Sequence, residues 1–388
     1  MSQVTQDSRI QRARAHRRHR DEALPSFYGL LQLSVRDLKQ LRSAAGCIRC
    51  RATVDTALLA RASLIVASAV AFISLMGAFF GAQSAIPAVA LYVCMLCVRF
   101  VGFNYAPVEN LKAMAVVFAV LTMMPLLGQH AGAPARLVLN IAGLMVVAVD
   151  GPRMGNGGTY GFAYALLAGA VYDAPLRDDE MPLRVATMAA GFLLCAAVYW
   201  RCRNRTAEAQ RARAAGGSFA HRTIGSALRE VSLDNEKTRY HLRAALGISL
   251  AFFAGDVLGM RRLMWMGLVG SSLLTPHATA VRDRIWWRTG FSALGVVLFC
   301  IVYPAAPPLL QAVFGMVIGM CCGLSGKYHW TQAFNTMGAM LLGQTMFGMG
   351  GAAFWRIADS LLAGAVVAAF SFAYRRGLRR LGVAGGEA

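Results

Sequence analysis

The stretch ALLARASLIVASAVAFISLMGAFF, residues 57–80, decides the fold. Crossing the ~30 Å hydrocarbon core of a bilayer takes about 20 consecutive apolar residues in a helix. This run supplies them with a single charge, Arg61, near its start. A backbone in lipid has to satisfy its own hydrogen bonds, so the run is expected to be a transmembrane helix. The composition agrees with that reading. Of 388 residues, 57% are hydrophobic and 15% charged, and the mean hydropathy is +0.49, too oily and too charge-poor for an ordinary soluble domain.

Outward from residues 57–80, comparable apolar runs follow at 84–103, 111–129, 135–151, 158–173 and 183–200, and then at 243–259, 264–280, 285–304, 307–325, 329–348 and 353–374. The expected fold is therefore an all-α polytopic membrane protein of about 12 transmembrane helices. Charge placement tests that count separately from hydropathy. The basic stretches RIQRARAHRRHR (9–20), RCRNRTAEAQRARAA (201–215), RDRIWWR (282–288) and YRRGLRRL (374–381) all fall on one side. By the positive-inside rule that side is the cytoplasm, so both termini are expected there. The other side carries GAQS, YPAAPP and the acidic DAPLRDDEMPLR (173–184), with Arg261 and Arg262 as an exception that Asp256 is expected to offset.

A net charge of +20 would suggest nucleic acid in a soluble protein. Here the cations sit between apolar runs, so no nucleic-acid partner is expected. The first strongly apolar run comes after an arginine-rich arm too long for the charged start of a signal peptide, so no cleavable leader is expected. Residues 26–45, SFYGLLQLSVRDLKQLRSAA, have the three-and-four spacing of a helix lying on the inner membrane surface, or of a solvated helix. The expected organisation is a basic cytoplasmic arm with that helix (1–56), a first six-span repeat (57–200), a cytoplasmic linker (201–240), a second six-span repeat (241–375) and a cytoplasmic tail (376–388).

Nine cysteines include the pairs Cys47/Cys50 and Cys94/Cys97. Neither has a second pair or a histidine couple to complete a zinc site, so they read as core-filling or incidental thiols, and no metal, cofactor or disulfide framework is expected. RMGNGGTYG (153–161) has the glycines of a phosphate loop without its lysine, and reads as a cytoplasmic turn. The Ser, His and acidic residues fall in no triad spacing, so the chain is not expected to be an enzyme.

The two halves echo each other. LLARASLIVASAVAF around Arg61 and HLRAALGISLAFFAG around Arg243 open their first spans, while LRVATMAAGFL at Arg184 and WRIADSLLAGAV at Arg356 open their last. Six spans is an even number, so the units would be parallel repeats related by an axis along the membrane normal, a design that binds substrate between the repeats.

In the second half, an Arg-Ala-Ala helix start is followed by MRRLMWMGLVGSSLLTPHATAVRD, RTGFSALG and WRIADSLLAGAV. Together they resemble the FUSC family, which includes fusaric acid resistance proteins and aromatic carboxylic acid efflux pumps, with plant aluminium-activated malate channels as distant relatives. The resemblance covers residues 241–375. It implies that Trp265, Pro276, Arg288, Gly290, Gly295, Arg356 and Asp359 are the family's motif positions. The first half matches in span number and Arg61, but Thr187 stands where an Asp would be expected beside Arg184. The linker is also too short for the cytoplasmic domain that many such proteins carry.

Ionisable groups at membrane depth are costly unless paired, hydrated or functional. Arg61, Arg243, Arg288 and Arg356 are the candidate substrate-binding cations, able to grip a carboxylate in a guanidinium fork. Trp265 is a candidate platform for an aromatic ring, and Trp286, Trp287, Tyr328, Trp330 and Tyr160 could stack likewise. The plainer readings are lipid-headgroup anchoring for the arginines and an interfacial belt for the aromatics. Asp359 lies three residues after Arg356 and either pairs with it or carries a proton. His277 is a second candidate proton carrier.

The resemblance implies a bacterial inner-membrane transporter that exports aromatic or other small organic acids, coupled to protons, with a possible periplasmic adaptor protein. The alternatives are a passive organic-anion channel and a non-transport membrane scaffold. Membrane lipids are expected partners, and a homo-oligomer is possible.

Overall fold

The computed structural model describes residues 25–99, 102–103, 105–150, 158–205, 223–229, 231–274 and 281–381. Its helices are α1 (Phe27–Gln32), α2 (Val35–Ala44), α3 (Ile48–Phe80), α4 (Ala85–Val98), α5 (Pro107–Gly128), α6 (Ala133–Asp150), α7 (Gly158–Asp173), α8 (Met181–Cys202), α9 (Ile224–Arg229), α10 (Glu236–Val257), α11 (Leu263–Leu274), α12 (Val281–Ala305), α13 (Pro308–Ser325) and α14 (Tyr328–Arg380). Short 3-10 turns occupy Ala82–Ser84 and Arg203–Arg205. No strand occurs among the described residues. Among the described residues, six helices are long and apolar enough to cross a membrane: α3, α5, α8, α12 from Asp283, α13 and α14.

Several boundaries follow from local chemistry. Proline stands in the first turn of α5, α8 and α13, where its missing N–H costs nothing. The expected single helix over 26–45 is two helices. Ser34 and Asp37 form a reciprocal capping box, with Asp37 N–H donating to Ser34 Oγ at 3.1 Å and Ser34 N–H to Asp37 Oδ2 at 3.3 Å, which starts a new helix there. The basic residues Arg49 and Arg51, expected before the first span, belong to the first turn of α3 itself. The expected spans at 329–348 and 353–374 are joined in α14, which is interrupted at Gly348 (φ 68°, ψ 171°), a conformation open to glycine and strained for other residues.

The chain forms two compact units, each drawn from both halves of the sequence. The first comprises described residues within 25–68 and 293–349. The described part of its arm is packed: Leu30 and Leu38 are buried with Val54, Ala57 and Leu58, and with Leu324 of α13 beside them. The Lys39 ammonium donates to the Ser325 carbonyl at 2.6 Å and so caps the C-terminus of α13. Burial, and then Lys327 and Arg42, hold that ammonium below its usual pKa. Cys47 and Cys50 are joined as a disulfide with Cα atoms 5.3 Å apart, which corrects the expectation of incidental free thiols. Cys94 and Cys97 are free and buried, as expected of core-filling thiols.

The second unit comprises described residues within 69–292 and 350–381. In it α5 packs on α6, α7 and α8, while α4 packs on α7 and α8. Two pairings join sequence-distant helices, α10 against α6 and α11 against α7. The second is a backbone-to-backbone approach. A Cβ on Gly169 of α7 would overlap the backbone of Met264 in α11.

Candidate functional site

The site is organised by α11. Its 12 residues extend about 18 Å. Ten of its residues are buried. A short buried helix leaves four N–H and four C=O groups unsatisfied at its ends, and water is not at hand to serve them. Side chains meet that need at both ends.

At the N-terminal end the carboxylate of Asp173, the last residue of α7, accepts from Leu263 N–H at 2.6 Å and from Met264 N–H at 3.3 Å. An anion there also faces the positive end of the helix dipole. Arg262 Nη1 lies 3.6 Å from Asp173 Oδ2, and both side chains are buried. Asp256, expected to offset Arg262, is instead engaged by Arg136, whose Nη1 lies 3.1 and 3.2 Å from its two oxygens. The misplaced charge at Arg262 is therefore neutralised by a carboxylate from the first half of the chain.

At the C-terminal end three arginines converge. Arg243 Nη2 donates to the Leu274 carbonyl at 3.3 Å, Arg284 Nη1 to the Ser272 carbonyl at 3.5 Å, and Arg288 Nη1 to the Ser272 hydroxyl. Cations belong at this end, where the helix presents partial negative charge. Arg243 and Arg288 are buried.

Between the two ends sits Trp265, 1% exposed. The guanidinium carbon of Arg356 lies 5.1 Å from its ring centroid and that of Arg262 5.7 Å, both within cation–π range. Arg356 is buried, and its Nε and Nη1 find no hydrogen-bond partner. One turn along α14, Asp359 is 0% exposed, and neither carboxylate oxygen has a partner. Arg356 and Asp359 share a helix face but make no ion pair, which removes the simple pairing that their spacing suggests. Arg356, Asp173 and Arg262 all lie within electrostatic reach of Asp359, and Arg288 within reach of Arg356.

The structure thus brings Trp265 and Arg356 into contact, with Asp359 beside them, and sets Arg243 and Arg288 at the other end of the same short helix. Arg61 is half-buried on the part of α3 that belongs to the first unit. His277 and Pro276 lie outside the described residues. Trp286 and Trp287 are 76% and 50% exposed, as belt residues are, whereas Tyr160 is buried. The sequence reading missed Asp173, Arg262 and Ser272 as parts of the site. Asp173 offered one signal, an acid at the edge of an apolar run, but its target lies 90 residues away.

Residues 250–370 match a family model described as fusaric acid resistance protein-like. The matched segment contains Trp265, Arg288, Arg356 and Asp359, and leaves Arg243 just outside. No curated protein and no solved structure matches the chain.

Proposed function

We propose that the protein is a transporter of the bacterial inner membrane that exports aromatic or other small organic acids in exchange for protons, and that it performs no chemistry on them. One observation carries this reading: Asp359 is buried with both oxygens unserved, one helical turn from an Arg356 guanidinium that is also unserved. Each such group costs several kcal/mol at depth unless something else uses it. Two other acids of the second unit are each paired, Asp173 with Arg262 and Asp256 with Arg136. A substrate carboxylate fits the free donors of Arg356 as a charge-assisted pair, and a proton fits Asp359. The two arrivals favour opposite states of one helix face, which is the coupling an exchanger needs.

Twelve spans in two parallel six-helix repeats remain our arrangement for this activity. The stretches of α14 on either side of Gly348, residues 328–347 and 349–380, are about 30 and 48 Å long, each enough to cross once. The fusaric acid resistance description supports our choice of an aromatic acid as the substrate class. Both termini are placed in the cytoplasm on charge alone, and an adaptor protein or a second copy would complete an export route.

The test is uptake of radiolabelled aromatic acids into everted vesicles carrying the full chain, with and without an imposed pH gradient. Gradient-dependent uptake supports the proposal, and none for any aromatic acid defeats it. A passive anion channel is the second reading, favoured by the surplus of Arg243, Arg262, Arg288 and Arg356 over Asp173 and Asp359. It would show single-channel currents that an exchanger lacks.

A further inference from the structure

The first turn of α3 holds chemistry that transport does not use. Cys47 stands immediately before this 33-residue helix, Cys50 lies in its first turn, and the two are bonded. The Cys50 N–H donates to Cys47 Sγ at 2.9 Å, so the first sulfur occupies the position of a helix cap. Negative charge on that sulfur would face the positive end of α3, with Arg49 and Arg51 in the same turn. The Arg51 side chain is fixed here, its Nε donating to the Ala45 carbonyl at 2.9 Å. Cys47 is exposed, whereas Cys94, Cys97 and Cys195 are buried and the remaining five, Cys50 among them, are half-buried.

A cross-link spanning three residues restrains the unfolded chain least of all disulfides, so stabilisation is a poor account of it. The surrounding arm is already held by the Arg42–Asp55 ion pair and by the cluster around Leu30, Leu38 and Val54. An accessible pair at a helix N-terminus with cations nearby has the setting of an exchanging dithiol.

We propose that Cys47 and Cys50 form a reversible dithiol–disulfide site that exchanges with small thiol–disulfide couples of the glutathione type. The Cys47 thiolate attacks the oxidised partner, forming a mixed disulfide and releasing one thiol. The Cys50 thiolate then displaces the second, closing the Cys47–Cys50 bond. In sum, the protein dithiol is oxidised by two electrons while one small disulfide is reduced to two thiols. On the positive-inside orientation the site faces the cytoplasm, where disulfides are transient and redox-sensing. The exchange itself holds in either orientation and does not depend on the transport reading.

The experiment equilibrates the full chain in nanodiscs with a series of reduced and oxidised glutathione mixtures, followed by alkylation and peptide mass analysis. The expected result is a Cys47–Cys50 bond that forms and is lost reversibly across the series. C50S should accumulate glutathione on Cys47 at least several-fold more than C47S does on Cys50. Both serine variants alter partly or fully exposed positions and are expected to fold. The proposal is overturned if the pair stays reduced in oxidised glutathione, if the bond resists excess dithiothreitol, or if the two variants trap glutathione equally.

Discussion

Asp173 accepts a hydrogen bond from Leu263 N–H at 2.6 Å, so the last residue of α7 caps the first of α11. The same carboxylate neutralises buried Arg262. Asp173→Asn keeps the shape but removes the charge from both partners. Asn can still accept from the helix N-terminus, so losing the charge that faces the helix dipole costs about 0.3–1 kcal/mol, and leaving Arg262 unpaired adds about 3 kcal/mol. Thermal unfolding of the full chain in detergent should show a clear fall in Tm. The double variant D173N/R262M should recover part of it, because the stranded cation is then gone.

Gly169 lies where α7 meets the backbone of Met264. Gly169→Ala forces the two helices apart and should destabilise by about 1–3 kcal/mol, as overpacking does. Gly161 is the internal control, since it lies on the same helix with nothing within 4 Å of an added Cβ. Gly161→Ala should be neutral or slightly stabilising. Equal melting of the two variants would show that the close approach is not maintained in the folded protein.

The sequence made the helical membrane architecture legible because hydropathy and charge placement are local properties read over about 20 residues. It also made Trp265, Arg356 and Asp359 legible, since a cation and an acid one turn apart in an apolar run are conspicuous. Who pairs with whom was not legible. Arg262 sits six residues from Asp256 in the chain, yet the fold gives it Asp173 and gives Asp256 to Arg136. The surface arm was readable as amphipathic but not as two helices, because its break depends on the reciprocal bonds of Ser34 and Asp37.

Arg288 and Arg356 are both buried arginines, but their surroundings predict opposite stability effects. Arg288 serves the C-terminal end of α11 through Ser272, whereas Arg356 has unserved donors and the face of Trp265. Arg288→Gln should lower stability by about 1 kcal/mol through loss of a helix-terminus cation. Arg356→Gln should leave Tm unchanged or raise it, while reducing aromatic-acid uptake at least tenfold, as loss of a charge-assisted bond worth about 1.5–3 kcal/mol requires. Paired melting and uptake measurements separate the helix cap from the substrate ligand. A large fall in Tm for Arg356→Gln would make Arg356 structural.

Asp359→Asn applies to a second buried acid the same change as Asp173→Asn, and the expected sign is reversed. Asp173 accepts hydrogen bonds from two backbone N–H groups and pairs with a guanidinium, so neutralising it strands partners. Asp359 serves no hydrogen-bond donor, so neutralising it strands none and relieves a buried charge. Asp359→Asn should therefore match or exceed the parent in Tm at neutral pH. If the carboxylate carries the proton, vesicles with Asp359→Asn should still equilibrate labelled substrate down its own gradient. A pH gradient should then drive no accumulation. Retained accumulation in a well-folded Asp359→Asn protein would move proton coupling elsewhere, with His277 the next residue to replace. A fall in Tm as deep as that of Asp173→Asn would mean that Asp359 has a structural partner in the membrane-embedded protein.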